Sequence, residues 1–461
     1  MKQRILSLNT VHDSEGVVVV YVMGRDQRVH DNHALLAAQD YAARLGLPLM
    51  VAFRLLAQSG VRSREHYQFM VDGLRQLAAE LEKYGIPFVV VSDLDELCAE
   101  VKPAALYFDF SPLRGPRTFQ KSFAETAGFP VYVVDTHNII PVWELSDHEE
   151  FAAHTIRRKV HKQLAQWLTE PPKLQPQSHA YQPPVSGLTW SEVDGIVQNV
   201  PACGISVTDT PGGRAARVTL DEFMDNRLLA YAVDRNDATT NGQTGLSPYL
   251  HFGQISALRV ALELQKQPVS QPPLLLREPR LASSDTEPTL DDSVDALLEE
   301  LIVRKELADN YCFYKKNYDN LLGAKPWAQK TLAAHANDAR EFVYSQEQWE
   351  AAQTHDSLWN AAQRQLLRTG KIHGYMRMYW AKKLLEWSRS PEDAIAYAVY
   401  LNDHYSVDGG DPNGYVGIMW SIAGLHDRPW FDREVYGTVR YMATSGASKR
   451  FDISEYIQTW S

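Results

Sequence analysis

The sequence predicts two domains of different class: an N-terminal Rossmann-like α/β domain with a parallel sheet, then an all-α domain. Three observations predict this. The first third alternates short β-branched or aromatic runs with amphipathic segments, a stretch rich in Pro, Gln, Ser and Gly follows, and beyond residue 215 the apolar spacing is almost wholly helical. With 461 residues the chain also exceeds one ordinary core, since domains run to roughly 100–200 residues each.

Residues 1–15 read as a polar tail and 16–165 as the α/β domain. Val17–Met23, Leu49–Phe53, Pro87–Val91, Ala105–Asp109 and Val131–Asp135 are short, apolar and bounded by turn residues, as buried strands are. His33–Leu45 and Tyr67–Tyr84 between them are amphipathic helices, and strands joined by helices pair in parallel. Such a domain resembles a nucleotide-binding fold. However, Gly24-Arg25-Asp26-Gln27-Arg28 follows the first strand in place of G-x-G-x-x-G, which disfavours an ordinary NAD site.

Residues 166–215 read as a long linker, broken by Pro-Pro steps and without long periodicity. In 216–461 helices are expected over Leu220–Val233, Ile255–Gln265, Val294–Tyr314, Ser345–Ala352, Trp359–Leu367, Met376–Trp387 and Pro391–Tyr400. An irregular stretch, Gln267–Asp292, carries Pro272-Pro273 and Leu274-Leu275-Leu276 and reads as a surface loop. No repeat of solenoid length is visible.

Net charge is -11, which by itself argues weakly against a nucleic-acid partner, but the charge is segregated. Trp359–Arg389 holds seven Lys or Arg against one acidic residue, Glu386. Cys98, Cys203 and Cys312 are far apart and make no C-x-x-C pair, so neither a zinc site nor a disulfide framework is expected. No apolar run approaches the ~20 residues of a membrane span, and no signal peptide opens the chain. A cytoplasmic protein without a membrane partner is the expectation.

Thr244-Gly245-Leu246-Ser247-Pro248 leads glycine and hydroxyl residues into a helix, with Ser247 placed to cap it. Exposed N–H groups there suit a phosphate, to which Tyr231 and Arg235 could add a phenol and a guanidinium; a plain capped helix fits equally. Trp380 and Trp387, seven apart, share one helix face about 10 Å apart, and Trp359 lies on the preceding helix. Such a stripe is ordinary core material, and it could also pass an electron. Asp408–Tyr415 lacks the ligand spacing of a calcium loop, and no H-E-x-x-H or G-x-S-x-G motif is present, so no metal and no hydrolytic centre are expected.

Taken together, Gly24–Arg28, Asp109-Phe-Ser-Pro-Leu113, Asp135-Thr-His-Asn138, Leu246–Gln254, Arg304–Asn310, Thr369–Lys383, Leu401-Asn-Asp403, Asp411–Tyr415 and Gly424–Arg428 resemble the photolyase and cryptochrome family. Within it they are most similar to class II photolyases of cyclobutane pyrimidine dimers, over nearly the whole chain. The resemblance implies a helical domain holding FAD, active as the reduced anion, which on illumination donates an electron to a dimer flipped out of UV-damaged DNA. The dimer splits and the electron returns, so the enzyme is a lyase and a DNA-repair protein. An antenna chromophore such as 8-hydroxy-5-deazaflavin is admitted in the N-terminal domain, an empty pocket equally, and a monomer is expected.

The same resemblance implies residue roles. Tyr231, Thr244, Gly245, Leu246, Ser247 and Lys305 fit the flavin diphosphate site. Arg377 and Asp408 fit the salt bridge beside the flavin ring, Gly374 leaves room there, and Asn402 fits the asparagine aimed at the flavin. Glu300 fits the acid that bonds the dimer, and Trp420 the flat wall for its bases; Arg304 stands where some relatives carry a second tryptophan. Trp380, Trp359 and an exposed end, Trp387, fit an electron relay. Arg157, Arg158, Lys159, Arg304, Lys382, Lys383, Lys449 and Arg450 are the expected DNA contacts. Photolyases of (6-4) lesions use two histidines where Gly374 and Met378 stand here, so that chemistry lacks its acid–base group. A cryptochrome-type light receptor is the alternative, disfavoured by Glu300, Trp420 and the short stretch after Arg450.

Overall fold

The computed structural model describes residues 2–56, 61–269 and 289–461; most of the stretch Gln267–Asp292, including its prolines and three leucines, lies outside the described residues. The N-terminal domain is built on six strands, β1 Ile5–Ser7, β2 Val18–Met23, β3 Leu49–Arg54, β4 Phe88–Val91, β5 Pro103–Asp109 and β6 Val131–Val134. Their spatial order is β1-β6-β5-β2-β3-β4, and β2 to β6 are parallel. Every residue of β2 and β5 is buried, because helices cover both faces, which is why these strands read as continuous apolar runs. Register places the ends of β2 and β5 side by side. There Asp109 accepts from the Tyr21 hydroxyl at 2.7 Å and from the backbone N–H groups of Gly24 and Asp26 at 2.8 and 3.1 Å. A carboxylate thus takes the N–H groups that a glycine-rich loop would offer to phosphate.

Two boundaries differ from the sequence expectation. Residues 1–15 are not a free tail: β1 pairs antiparallel with β6, and buried Arg4 donates to the carbonyls of Asp135, Asn138 and Ile139. A three-residue edge strand is too short to show periodicity. The linker 166–215 in turn contains a helix, Trp190–Gln198, opened by a reciprocal Thr189–Glu192 capping box and anchored by buried Val193 and Val197. That signature is present in the sequence, masked by its Pro-rich flanks.

In the helical domain, Gly374–Trp387, Pro391–Tyr405 and Pro412–Ala423 pack on one another around a core of Trp359, Trp380, Leu384, Leu401 and Met419. The segment expected as one helix from Val294 to Tyr314 has three parts: an α-helix Leu290–Leu298, a π-helical turn Glu299–Arg304, and an α-helix Lys305–Tyr314. Intrinsic propensity does not distinguish α from π, and such turns recur at functional sites. Among the described residues no helix is long and apolar enough to cross a membrane.

The helix Lys305–Tyr314 docks on the carboxyl end of the sheet. Asp309 receives both guanidinium nitrogens of Arg25, at 2.6 and 3.0 Å, and the Asn138 amide at 3.0 Å. Glu306 accepts from the backbone N–H groups of Ile139 and Ile140 through Oε1, while its buried Oε2 has no partner. Burial is the main reason its carboxyl is pushed up to about 8, against the favourable field of Lys305. A proton kept in the fold but lost on unfolding makes stability fall as pH rises from the ordinary carboxylate value to about 8. Glu306→Gln keeps the Oε1 acceptor and removes this proton. Its urea midpoint relative to wild type is expected to rise across that window and level off above it; a constant difference would contradict the assignment.

Candidate active site

Arg377 organises the site. It lies one turn into the helix Gly374–Trp387, which His373 caps by accepting from the Tyr375 N–H at 3.2 Å. Its Nη1 donates to Asn402 Oδ1 at 3.0 Å, its Nη2 donates to Ser406 Oγ at 3.3 Å and lies 3.6 Å from Asp408. Asn402 and Ser406 are four residues apart and so share one helix face. The other end of Asn402 is fixed as well, Nδ2 donating to Asp403 Oδ1 at 2.9 Å. A Cβ at Gly414 would lie 2.8 Å from that amide nitrogen, so glycine is what gives Asn402 its place. Burial acts to raise Asp408, but Arg377 and the hydroxyls of Ser406 and Ser247 outweigh it and hold the carboxyl below its ordinary range.

The Thr244–Ser247 loop meets this cluster through Ser247. Gly245 has φ +74°, which a side chain resists, and Thr244 Oγ1 accepts from the Leu246 N–H at 3.2 Å. Leu246 is buried. Ser247 is not the cap expected from the sequence: it is the first residue of the short helix Ser247–His251, makes no capping bond, and turns its hydroxyl to Asp408. Asp411 caps the helix Pro412–Ala423 and pairs with His251 at 3.3 Å, so the Asp408–Tyr415 segment builds a turn and a helix start. Among the described residues no group of three or more His, Cys, Asp or Glu side chains is placed to hold a metal ion.

Glu300 projects from the π-helical turn, partly exposed, and is held by Arg235 at 2.7 Å. Arg235, a candidate diphosphate contact in the sequence, is here engaged with Glu300; it also donates to the Ala296 carbonyl and lies over the Tyr231 ring. Tyr231 is buried edge-on against Phe223, and burial is the chief cause that pushes its phenol up to about 12. Lys305 departs from expectation too. Beyond the π turn its side chain points to the other domain, donating to the His137 carbonyl at 3.1 Å and Asn138 Oδ1 at 2.9 Å. Trp420 is half-buried, with the Lys382 ammonium 4.8 Å from its ring centre.

Three expected DNA contacts, Lys382, Lys383 and Arg157, are buried instead. Lys382 is fully buried, donates to the Ser421 carbonyl at 2.7 Å, and burial pushes it down to about 7. Lys383 is buried among Tyr379, Trp387 and Tyr441. Arg157 makes a buried bidentate pair with Glu299 at 2.8 and 3.0 Å, and Lys159 pairs with Glu150 at 2.6 Å. Arg158, Arg304, Lys449 and Arg450 are exposed.

The tryptophans form a continuous aromatic path. Trp380 stacks on Trp359 at 6.3 Å and 7°, and the Trp359 indole N–H donates to the Trp380 carbonyl at 3.0 Å. Trp387, expected as the exposed end, is only 5% exposed. Tyr344 and exposed His355 cover it, at 6.1 and 4.6 Å between ring centres, and are joined to each other by a 2.6 Å hydrogen bond. The sequence reading missed Trp349 in this path, and missed Asp403, Ser406 and the Arg235–Glu300 pair. Only Trp349 had a visible signal, its residue type.

Comparison with known proteins decides the family. The family model for DNA photolyase matches residues 19–177. A deoxyribodipyrimidine photo-lyase of Potorous tridactylus is 42% identical over 98% of this chain and 83% of its own. One of Oryza sativa subsp. japonica is 43% identical over 96% and 87%. The chain belongs to the DNA photolyase family. In fold it also matches the crystal structure of a bacterial class III photolyase from Agrobacterium tumefaciens, with a TM-score of 0.70 at 19% identity, covering 98% of this chain and 87% of that one. The resemblance that the motifs carried is therefore borne out.

FAD is the cofactor of this family, and the residues present fit it. Arg377 and Asp408 are about a quarter and a fifth exposed, so the pair borders open space rather than being sealed in the core. A fixed guanidinium, an amide pinned at both ends and a hydroxyl-bearing loop are the donors that a polar, negatively charged ring system and its phosphates require.

Proposed function

We propose that the protein is a class II deoxyribodipyrimidine photo-lyase, which splits cyclobutane pyrimidine dimers in UV-damaged DNA by light-driven electron transfer. The observation that carries the proposal is the fixed Arg377–Asn402–Asp408 cluster, one helical turn from Trp380. With reduced, anionic FAD bound, the site has a one-electron donor that light activates. Arg377 supplies the cation that favours the anionic form, and Asp408 and Ser406 hold the guanidinium in place. Asn402, restrained by Arg377 and Asp403, presents a fixed amide to the ring. Thr244 to Ser247 hold the diphosphate with backbone and hydroxyl donors. Glu300 bonds the dimer, and Arg235 behind it stabilises the charge that develops there. Trp420, half-buried, is the wall for the flipped bases.

The test is direct. Purified protein is expected to show flavin absorption, and after reduction to remove dimers from DNA only under blue or near-ultraviolet light, leaving (6-4) photoproducts untouched. Repair in darkness at a comparable rate overturns the reading. An antenna chromophore such as 8-hydroxy-5-deazaflavin belongs to the same proposal, as do action on DNA as a monomer and a place where the cell keeps its DNA. A second absorption band beside that of flavin tests the antenna.

Glu300→Gln is expected to retain flavin while lowering the yield of dimer splitting several-fold, because an amide forms weaker hydrogen bonds and no longer anchors Arg235. A wild-type yield would remove Glu300 from the mechanism.

DNA binding is expected to weaken with salt, through the exposed cations Arg158, Arg304, Lys449 and Arg450. Replacing both Lys449 and Arg450 by Ala is expected to flatten the log–log salt slope by about 2, roughly one for each phosphate that the protein no longer neutralises. Lys382→Met, at a buried position, is expected to leave that slope unchanged. Equal slopes for all three proteins would place the DNA elsewhere.

A further inference from the structure

Trp349 is fully buried between two indoles of the relay: its ring lies 4.8 Å from Trp359, tilted by 57°, and 6.2 Å from Trp387, within 11° of parallel. Among the described residues no ring contact joins Trp359 directly to Trp387. We propose that Trp349 is a relay residue, the indole through which an electron hole travels from Trp359 to Trp387. The proposal rests on the relay reading of Trp380, Trp359 and Trp387, and it adds the one indole in ring contact with both Trp359 and Trp387 among the described residues.

The electrons balance as follows. Trp380 gives one electron to the light-excited oxidised flavin and is refilled by Trp359, Trp359 by Trp349, and Trp349 by Trp387. A thiol in solution returns one electron to Trp387 and loses its proton to water, and the resulting thiyl radicals pair as a disulfide. Each step moves one electron and breaks no bond within the protein.

The surroundings of Trp349 suit a stop through which a hole passes. An indole radical cation is a strong N–H acid, and losing the proton traps the hole as a neutral radical. The Trp349 Nε1 is buried with no hydrogen-bond acceptor, so the proton stays and the hole remains mobile. Trp359 and Trp380 donate only to neutral acceptors, the Trp380 carbonyl and the Gln363 amide oxygen. At the far end the Lys383 ammonium lies 5.1 Å from the Trp387 ring centre, and Glu386 offsets its charge. Beyond Trp387 the path reaches Tyr344 and His355 at the surface. Core packing alone would explain a buried Trp349, so the test must separate packing from transfer.

Trp349→Phe preserves an aromatic ring and most of the volume, so flavin content and thermal midpoint serve as controls. In the oxidised holoenzyme with a thiol present, it is expected to lose most of its photoreduction, read as loss of oxidised-flavin absorbance. Transient absorption is expected to show the tryptophan radical decaying sooner than in wild type, because the hole stops at Trp359. Trp387→Phe lets the hole advance one step further, to Trp349, so its radical is expected to outlive that of Trp349→Phe. Should Trp349→Phe lose its flavin, Trp349→Tyr keeps more of the volume, and a buried phenol without a proton acceptor fails as a stop in the same way. If Trp349→Phe behaves as wild type while Trp380→Phe loses photoreduction, Trp349 is packing and the proposal falls while the relay stands. If neither variant changes photoreduction, the relay reading itself falls.

Discussion

Trp380→Phe is expected to abolish nearly all photoreduction of oxidised flavin while leaving the protein folded. Trp380 is the indole nearest the Arg377 cluster along its helix, and its ring stacks on Trp359 within 7° of parallel. A phenyl ring refills most of the volume but is far harder to oxidise, so the first hole is never formed. The substitution also removes the bond from the indole N–H to Gln363 Oε1, in a core where Gln363 Nε2 already has no partner. Leaving that oxygen unsatisfied costs about 1–3 kcal/mol, enough to lower the thermal midpoint but not to unfold a domain with so large a core. Protein reduced chemically beforehand is expected to repair dimers under light, because that electron comes from the cofactor. Normal photoreduction would show that another side chain supplies the electron. Failure of the prereduced variant would place Trp380 in the flavin or lesion site.

Asp309→Ala is expected to have the largest effect on stability. Removing one partner of a buried ion pair costs about 3–5 kcal/mol, because the other charge stays buried and unpaired. Here the groups that lose their partner are the Arg25 guanidinium and one N–H of the Asn138 amide, where the two domains meet. Burial acts to raise Asp309, yet Arg25 and Lys305 more than offset it and hold the carboxyl below its ordinary value. The sign follows: a depressed carboxyl stabilises the fold at pH above the unfolded value, and that stability is lost as pH falls through the lower folded value. The deficit of Asp309→Ala, measured by urea unfolding, should therefore be constant from neutral pH down to the ordinary carboxylate range and shrink in stronger acid. A deficit below about 1 kcal/mol at neutral pH would mean that water replaces the carboxylate.

Much of this fold is legible in the sequence because its elements are strongly periodic or wholly apolar. The helix His33–Leu45 runs between the residues expected, and the five strands of the parallel sheet differ by only a residue or two at their ends. Sites are less legible than elements, and the differences share a cause. Lys382, Lys383 and Arg157 sit in runs of charge that read as surface, yet both lysines are buried, and Arg157 points about 100° away from its exposed neighbour Arg158 along the helix. Trp349 escapes a search for indoles spaced along one helix, because it reaches Trp387 from a separate short helix, Gln346–Glu350, across the fold. Arg235 is close in sequence to Tyr231, whereas its carboxylate partner is Glu300, sixty-five residues on.

The π-helical turn Glu299–Arg304 sets a rule on chain length rather than on residue type. A π turn contains one residue more than an α turn, and an α-helix advances about 100° for each residue. Were those six residues to close into an ordinary α-helix with none removed, everything downstream would swing by about that angle. Asp309 would leave Arg25 and Glu306 would leave the strand ends, while Glu300 stayed beside Arg235. The register between Glu300 and the contacts that dock the two domains is thus held in the one extra residue that the π turn takes up.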